Sequence, residues 1–567
     1  MFKKIFTSRW LLVGILLVAA VLRLWRLGSI PPGLTPDEAS LGYNAYSILK
    51  TGRDEYGQLL PVIFKSFGDY TPGLDVYLTA PFVAVLGLSE FAVRLPSALF
   101  GIVIVYLFYL LAKRFCRLSD IDRKTESVGL IAALLAATNP WLIYFSRGAW
   151  LPNVSLALTL AGIYFFFKSL PADRQVLKNS SAIVKSAIFF ALTLLTYQGA
   201  KITTAIVVLI LLALYWKRLF KNNLKVLVGS LVIAIVIALP IIISIFQGKT
   251  GRLNVISLFS YSRPKDYLQD QLSQGGEKIG GLSYNLYHSE SLYYIRTILT
   301  RWFNSYSARF LFFEGDWEHP RHGAPHMGVM LFADVIFIVS GLSVVIKKLK
   351  NKGALFLFSL LILTPLPLVL SRDWVHAARS FHLIIPLIII SSFGVAEIYK
   401  TYRKFFVVCL VMAFLSFGYF LDAYFVHLPI YNAKYWDYGY REVVQKILPV
   451  QSNYKKIVFQ QSYEQPFIYL LFYGAKEGYG GYLPAKVQGK IKLKESEVGD
   501  VGLVENLDNI EFKPISWPVS EDIGTLVVVE GITALREVID DDYKIISQIK
   551  YPDNIYTAFN LVEVVNK

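Results

Sequence analysis

Two adjacent carboxylates, Asp37 and Glu38, stand out because of their position in the chain. They follow the first long apolar stretch after a short linker that contains Pro31, Pro32 and Pro36. An ionisable pair held at a membrane surface is costly unless it is paired or takes part in chemistry. The pattern allows two interpretations. One is a general base that takes a proton from an acceptor hydroxyl, and the other is an ordinary helix start with acidic residues in its first turn.

Basic side chains with a possible role in binding phosphate are found in several of the polar segments between apolar stretches. They are Lys65, Arg94, Arg147, Lys201, Arg372 and Arg379. Arg372, His376 and Arg379 recur at helical spacing, so that they can share one face and grip a phosphate group. The alternative for this set is contact with lipid head groups, and Arg147 can also cap the end of a helix.

The segment 314–326 combines carboxylates with three histidines, His319, His322 and His326. These are suitable metal ligands, but Pro320 and Pro325 interrupt any regular helix and the spacing matches no familiar metal motif. We therefore predict a loop that packs around a polar substrate, with His322 as a contact. A divalent metal site is the alternative.

The elements that must position these residues are apolar helices. The chain has 567 residues, of which 54% are hydrophobic and only 17% charged, and the apolar residues come in long blocks. About 20 apolar residues cross a bilayer, so this composition excludes a soluble enzyme, a disordered chain and a nucleic-acid-binding protein. About eleven crossings are predicted, at 10–27, 95–113, 128–146, 152–168, 185–200, 202–216, 226–246, 328–346, 353–371, 381–399 and 404–422.

The basic residues that give the chain its formal net charge of +16 are concentrated in alternate loops. Because such loops stay on the cytoplasmic side, the N-terminus is predicted to be cytoplasmic. The protein is expected in the cell (plasma or inner) membrane. Segments 28–94 and 247–327 and the tail 423–567 then lie outside. An apolar piece at 74–88 is predicted to be a helix on the membrane surface, since one more crossing there would invert every later loop.

Two domains are expected: a transmembrane domain at 1–422 and a small extracytoplasmic α/β domain at 423–567. In the tail, strands are predicted at 456–461, 524–530, 543–550 and 556–565, and helices at 440–447 and 465–472. The two cysteines, Cys116 and Cys409, lie outside the predicted outer segments, so disulfides are not expected to stabilise these segments.

Several short stretches, in this order along the chain, resemble the bacterial membrane glycosyltransferases of the GT-C fold. The likeness is to the family-39 type, which includes protein O-mannosyltransferases and the aminoarabinose transferases that modify lipid A. The matching stretches are Thr-Pro-Asp-Glu-Ala at 35–39, Ser-Phe-Gly-Asp-Tyr at 66–70, Ala-Val-Arg-Leu-Pro-Ser at 92–97, Asn-Pro-Trp at 139–141 through Phe-Ser-Arg-Gly-Ala at 145–149, and His-Ala-Ala-Arg-Ser at 376–380.

The resemblance implies a sugar donor linked to polyprenyl phosphate and transfer on the outer face of the membrane. It assigns Asp37 as the base, and we expect Glu38 to be its orienter or second acidic contact. Direct displacement at the anomeric carbon would invert its configuration. No cofactor is implied, because the lipid phosphate already leaves as an anion. The acceptor is a protein, a lipid or a glycan. Candidate substrate contacts are Asp69, Tyr70, His322 and His376.

The sequence departs from the family pattern at Thr71-Pro72-Gly73, where relatives often carry Lys or His before a Pro-Pro pair. Lys65, Arg147, Lys201 or Arg372 would have to supply that phosphate contact. Two other functions stay open for this protein. One is a flippase or transporter of lipid-linked sugar, and the other is a non-catalytic polysaccharide-assembly protein. Charge-free spans without an internal repeat argue against a transporter.

Overall fold

The computed structural model describes residues 2–67, 69–118, 125–170, 180–222, 224–249, 256–260, 263–461, 465–494, 503–531 and 542–566. The described chain is mostly helical, as predicted. Its first helices are α1 (Phe2–Leu24), α2 (Pro36–Thr51), α3 (Leu74–Leu86), α4 (Glu90–Leu118), α5 (Thr125–Thr138), α6 (Pro140–Arg147), α7 (Leu151–Ser169), α8 (Ser180–Thr193), α9 (Gln198–Asn222) and α10 (Leu224–Phe246).

Further helices follow in the second half of the chain. They are α11 (Lys265–Gly275), α12 (Glu290–Asn304), α13 (Asp334–Lys347), α14 (Lys352–Leu363), α15 (Ile384–Thr401), α16 (Arg403–Asp422), α17 (Tyr440–Ile447) and α18 (Pro466–Lys476). Single turns of α-helix lie at Leu366–Val369, Leu428–Tyr431 and Pro484–Val487.

Within the described residues, seven helical runs are long and apolar enough to cross a membrane, and the bent pair α5–α6 is an eighth candidate. The protein is therefore a multi-pass membrane protein. The other predicted crossings, 10–27, 185–200 and 328–346, coincide with α1, α8 and α13. Because α8 and α13 have only 14 residues each, they rise about 21 Å, which is short of a hydrocarbon core of roughly 30 Å. The predicted number of about eleven is reached only if such short helices are included.

The predicted crossing at 128–146 is not one continuous helix. It breaks at Asn139, and α5 and α6 meet at an angle of 55°. Pro140 disfavours helical backbone in the residue before it. The Asn139 side chain then caps the new helix by accepting a hydrogen bond from the Leu142 amide at 3.0 Å. After the bend, the turn that follows α6 lies against the first turn of α2, which contains Asp37.

Helices α13 and α15 approach each other closely at two glycines. A Cβ on Gly341 would lie 1.9 Å from the Ile390 carbonyl oxygen, and one on Gly394 would lie 1.9 Å from the Phe337 carbonyl oxygen. Small residues allow this backbone contact, which is the usual basis of tight helix packing inside a membrane.

The segment between α1 and α4 contains a short hairpin besides α2 and α3. Strand β1 (Ile63–Ser66) pairs antiparallel with β2 (Asp69–Pro72). The predicted helix at 74–88 is observed as α3, and its position at a membrane surface stays a prediction. Helix α3 buries Asp75, Val76 and Val83 among its neighbours.

The C-terminal region contains a mixed sheet, as predicted. Its strands are β3 (Ile457–Gln460), β4 (Leu493–Lys494), β5 (Leu503–Val504), β6 (Asn506–Leu507), β7 (Ile510–Lys513), β8 (Leu526–Glu530), β9 (Tyr543–Lys550) and β10 (Thr557–Val564). Six of them form one sheet in the order β6-β7-β3-β8-β10-β9, while β4 and β5 form a separate pair. Strand β3 is parallel to both of its neighbours, and β9 and β10 form the expected antiparallel hairpin.

The C-terminal region and the 28–94 segment share one hydrophobic core. Tyr43 and Ala39 of α2 lie in the same buried cluster as Tyr440 and Phe472. The Tyr43 hydroxyl donates to the Tyr482 carbonyl at 2.9 Å. The tail therefore supports the helix that carries Asp37 and Glu38, a contact that local sequence patterns do not reveal. The division into domains at residue 422 stays a prediction.

Candidate active site

A cavity of about 360 Å³ lies among α2, the β1–β2 hairpin, the α6–α7 turn, the start of α9 and the two segments around residues 320 and 375. Its lining includes ten acidic, basic and histidine residues: Asp37, Glu38, Lys65, His319, Arg321, His322, Arg372, Asp373, His376 and Arg379. A second cavity of about 320 Å³ shares Arg372 and Asp373 with it, so these two residues form a common wall.

Asp37 lies in the first turn of α2, exposed to the cavity. The start of this helix is a capping box that leaves Asp37 out. Glu38 N donates to Thr35 Oγ1 at 3.3 Å, and Thr35 N donates to Glu38 Oε2 at 3.1 Å. In the described part of the chain, the Asp37 carboxylate has neither a hydrogen bond nor an ion pair. A carboxylate of this kind can accept a proton or a hydrogen bond from a molecule in the cavity.

Glu38 has very different surroundings from its neighbour. Its side chain is 4% exposed and receives two hydrogen bonds from Arg94, at 2.9 Å from Nε and 3.0 Å from Nη2. The Ala149 amide also donates to Glu38 Oε1 at 2.9 Å. These bonds fix α2 to α4 and to the α6–α7 turn. The chemistry available to Glu38 is therefore positioning, since its lone pairs are already in use.

Arg94 does not reach toward a lipid head group or a phosphate in the cavity. It is fully buried. Besides Glu38, it donates to the carbonyl oxygens of Pro31 at 2.9 Å and Leu27 at 3.3 Å, and to that of Gly33. The guanidinium thus holds the proline-rich linker in place ahead of Asp37.

Three of the predicted phosphate-binding cations line the cavity: Lys65, Arg372 and Arg379. Arg379 also donates to Ser371 Oγ at 2.9 Å and pairs with Asp373. Arg372 is 3.7 Å from Asp373 and its side chain is 41% exposed. Arg321, which was not among the predicted site residues, is a fourth cation in this wall. Together they give the cavity fixed positive charge suited to a phosphate group.

Besides Arg94, four predicted site residues are outside the cavity lining. Arg147 is fully buried and donates to the carbonyl oxygens of Leu22, Trp25 and Ile30 at 2.8–3.0 Å. The Lys201 ammonium donates to the Gln198 side chain.

The remaining two, Asp69 and Tyr70, belong to strand β2. The Asp69 side chain is buried, and the Tyr70 carbonyl accepts a hydrogen bond from the Gln198 side chain at 2.8 Å. Both residues therefore support the hairpin, and the cavity is lined instead by Lys65 and Thr71 from the same two strands.

Three histidines from two segments meet in the cavity wall. One ring nitrogen from each of His319, His322 and His376 lies within 4.8 Å of the others. Asp316 lies beneath the first two, accepting from His322 Nδ1 at 2.8 Å and from His319 Nδ1 at 3.2 Å. Pro320 is the first residue of a short 3-10 turn, Pro320–His322. The proline that prevents a regular helix therefore begins the turn that contains His322.

Burial and hydrogen bonds set the charge state of this cluster. Burial lowers the pKa of the His322 imidazole to about 4, although the hydrogen bond to Asp316 opposes the shift. Burial also holds the pKa of His376 well below its usual value. Burial would raise the pKa of Asp316, but the hydrogen bonds from His319 and His322 keep it well below the ordinary range. At neutral pH the two imidazoles are neutral and the carboxylate is charged.

The residues that sequence reasoning missed are Arg321 in the cavity wall and Asp316 beneath it, while His319 was considered only as a ligand of the alternative metal site. All of these residues belong to the 314–326 segment, whose unusual richness in histidine and carboxylate was the available signal. What could not be read from spacing is that a single Asp316 would orient two histidines and also accept from the Ala377 amide at 2.7 Å. That contact joins the 314–326 segment to the 371–380 segment.

Part of the chain matches the model of a known protein family. Residues 71–243 match the model of the dolichyl-phosphate-mannose-protein mannosyltransferase family. No curated protein sequence matches the chain.

The fold is similar to that of ArnT from Cupriavidus metallidurans. The apo structure of ArnT has 12% sequence identity to this chain, with a TM-score of 0.55 over 98% of each chain. The structure of ArnT bound to undecaprenyl phosphate gives the same identity and TM-score over 97% of each. The chain therefore has a GT-C fold and resembles protein mannosyltransferases and lipid A aminoarabinose transferases, as the sequence motifs predicted.

Proposed function

We propose that this protein is a glycosyltransferase that moves a hexosyl or pentosyl group from a polyprenyl-phosphate donor to an acceptor hydroxyl outside the membrane. The observation that carries the proposal is the placement of Asp37, a carboxylate without a hydrogen bond or ion pair to any described residue, in one cavity with Lys65, Arg321, Arg372 and Arg379. The mannosyltransferase family match and the ArnT-like fold support the same reaction class.

The charges in the cavity suit a direct displacement at the anomeric carbon. The bond between that carbon and the phosphate oxygen breaks, and the phosphate departs as an anion that the cations stabilise. The acceptor oxygen forms the new bond to the same carbon while its proton passes to the Asp37 carboxylate. Attack from the face opposite the leaving group inverts the configuration. No cofactor is needed for this leaving group.

The buried pair of Glu38 and Arg94 has a positioning role in this reaction. It fixes the first turn of α2 against α4 and Ala149, so the Asp37 carboxylate is held at the cavity without being neutralised. The C-terminal region reinforces α2 from its other side through Tyr482 and Phe472. A base whose position is fixed before substrate binds contributes more than one that must be ordered during the reaction.

The basic loops support a cytoplasmic N-terminus, which places the cavity and the C-terminal region outside the membrane. The bilayer supplies the donor, whose polyprenyl chain is apolar and whose phosphate lies at the membrane surface. The acceptor is a protein, a lipid or a glycan that reaches the cavity from outside. No nucleic acid takes part.

The test is transfer from radiolabelled polyprenyl-phosphate sugars by the full chain in detergent, with native membrane extract as the acceptor pool. Wild-type protein is expected to consume one donor and move its label to a protein, lipid or glycan fraction. The anomeric configuration of the product, measured by NMR, is expected to be opposite to that of the donor. Failure with every hexosyl and pentosyl donor, with or without divalent ions, would contradict the proposal.

Reconstitution in vesicles separates the two rival functions. A flippase would move labelled donor across the bilayer without consuming it, and a non-catalytic assembly protein would bind glycan without changing the donor. Donor movement without product would therefore show that the protein is a transporter and not a transferase.

A further inference from the structure

We propose that His319, His322 and His376 bind one divalent transition-metal ion of the Zn²⁺ class. The first observation is their convergence. The rings of His319 and His376 have centroids 4.5 Å apart, and those of His322 and His376 are 4.8 Å apart. One nitrogen from each imidazole lies within 4.8 Å of the other two. Zn²⁺ accepts three such ligands, with a water or substrate atom as the fourth ligand of a tetrahedron.

The second observation is the orientation of the rings. Asp316 accepts from the Nδ1 atoms of His319 and His322, which leaves Nε2 of each ring as the metal ligand. A carboxylate that holds the Nδ1–H of a metal-binding histidine fixes its tautomer and raises its basicity. Asp316 has a fully buried side chain, so its negative charge also offsets the charge of a cation.

The third observation is that little movement is needed. Zinc–nitrogen bonds of about 2.0–2.1 Å require nitrogens about 3.3 Å apart in a tetrahedral site. One nitrogen of each ring lies within 4.8 Å of the other two, so nitrogens at that separation must approach one another by about 1.5 Å. His376 accepts a long hydrogen bond of 3.4 Å from the Arg379 amide, and a bond of that length is weak enough for the ring to turn.

Such an ion would join two segments that are far apart in the sequence. His319 and His322 lie beside Asp316 in one segment, and His376 lies in the segment before α15. The Asp316–Ala377 hydrogen bond already links the two. A metal ion would lock this wall of the cavity and add fixed positive charge to it. The inference stands on the ligand geometry and holds whether or not the transfer reaction is as proposed.

The test is metal binding by the full chain, purified in detergent through a tag without histidine. The protein is stripped with a chelator, loaded with Zn²⁺ or Co²⁺, and dialysed. One equivalent of metal by mass spectrometry is expected, together with the visible absorption bands of tetrahedral Co²⁺ and an increase in the unfolding temperature with Zn²⁺. None of these measurements depends on a sugar donor.

Variants identify the ligands. His322→Gln and His376→Gln are each expected to lose the metal equivalent and the Co²⁺ bands, and Asp316→Asn is expected to bind about 10–100-fold more weakly. The control is His427→Gln, which removes a mostly exposed histidine outside the cluster and should keep the metal. Because His322 is buried, His319→Gln offers a second ligand variant in case His322→Gln does not fold.

Two results would overturn the inference. One is a wild-type chain that retains neither Zn²⁺ nor Co²⁺ after dialysis. The other is equal retention by folded His376→Gln and wild-type protein, which would show that the metal is bound elsewhere.

Discussion

Glu38 and Arg94, 56 residues apart in the sequence, form a buried two-point ion pair with N–O distances of 2.9 and 3.0 Å. The pair joins the first turn of α2 to α4. Asp37, the residue next to Glu38, has no share in it and faces the cavity. Two adjacent carboxylates of the same chemical type are thus separated into a positioning group and a group available to react.

Replacing Glu38 by Gln is expected to destabilise the protein strongly. Loss of one member of a buried ion pair leaves the other charge uncompensated and costs about 3–5 kcal/mol. Urea or thermal unfolding in detergent measures this loss. The double variant Glu38→Gln with Arg94→Met should lose less than the sum of the two single variants. Additive losses would mean that the pair is not coupled.

Replacing Asp37 by Asn is expected to abolish most transfer while leaving stability unchanged. Loss of a general base typically lowers the rate by about 10²–10⁴-fold, and an exposed carboxylate that makes no hydrogen bond or ion pair to the described residues contributes little to the fold. Donor turnover and unfolding temperature are measured on the same preparation. Asp266→Asn is the matched control, because Asp266 is also an exposed first-turn aspartate, in α11. Equal turnover by Asp37→Asn and wild type would remove Asp37 from the mechanism.

Removing a cavity cation is expected to weaken donor binding. Lys65→Gln and Arg372→Gln should each raise the KM for the polyprenyl-phosphate sugar about tenfold, the usual effect of losing one hydrogen bond to a charged group. Lys50→Gln, at the exposed far end of α2, is the control and should leave KM unchanged. An unchanged KM in both cavity variants would place the phosphate elsewhere.

The stability of the 28–94 segment is expected to fall as the pH rises from about 4.5 to about 8. Burial raises the pKa of Glu55 to about 8 from its ordinary 4.5. The folded state therefore keeps the proton while the unfolded state loses it, at a cost of about 1.4 kcal/mol per pH unit in that window. The contribution of Glu55 to the free energy of unfolding is complete below its pKa in the unfolded state. It is lost as the pH rises through its pKa in the folded state.

Glu55→Gln checks the origin of that pH dependence. The variant keeps a neutral side chain at every pH, so its unfolding temperature should fall less than that of wild type between these pH values. Parallel curves for the two proteins would show that another group is responsible.

Alanine at Gly341 or Gly394 is expected to separate α13 from α15. Each new Cβ would overlap a backbone oxygen of the facing helix at 1.9 Å, and forced packing of this kind typically costs about 1–3 kcal/mol. Gly418→Ala in α16 is the control, since a Cβ there meets nothing within 4 Å. Thermal unfolding of the three variants gives the comparison, and an equal effect at Gly418 would contradict the close helix contact.

The sequence by itself determined the apolar helices, four of the strands of the C-terminal region (β3, β8, β9 and β10) and the pairing of β9 with β10. These features follow from local composition and periodicity, which fix an element without reference to distant residues. It also predicted Asp37 in the first turn of a helix, as observed. The family motifs then pointed to the correct fold class.

Only the tertiary structure decided which of the candidate residues meet. Arg147 and Lys65 were equivalent candidates in the sequence, yet Arg147 binds three backbone carbonyls in the interior while Lys65 lines the cavity. The bend at Asn139 and the contact between His322 and His376 likewise depend on packing between distant segments. Spacing along a chain carries no information about such contacts, because they are set by how whole helices fit together.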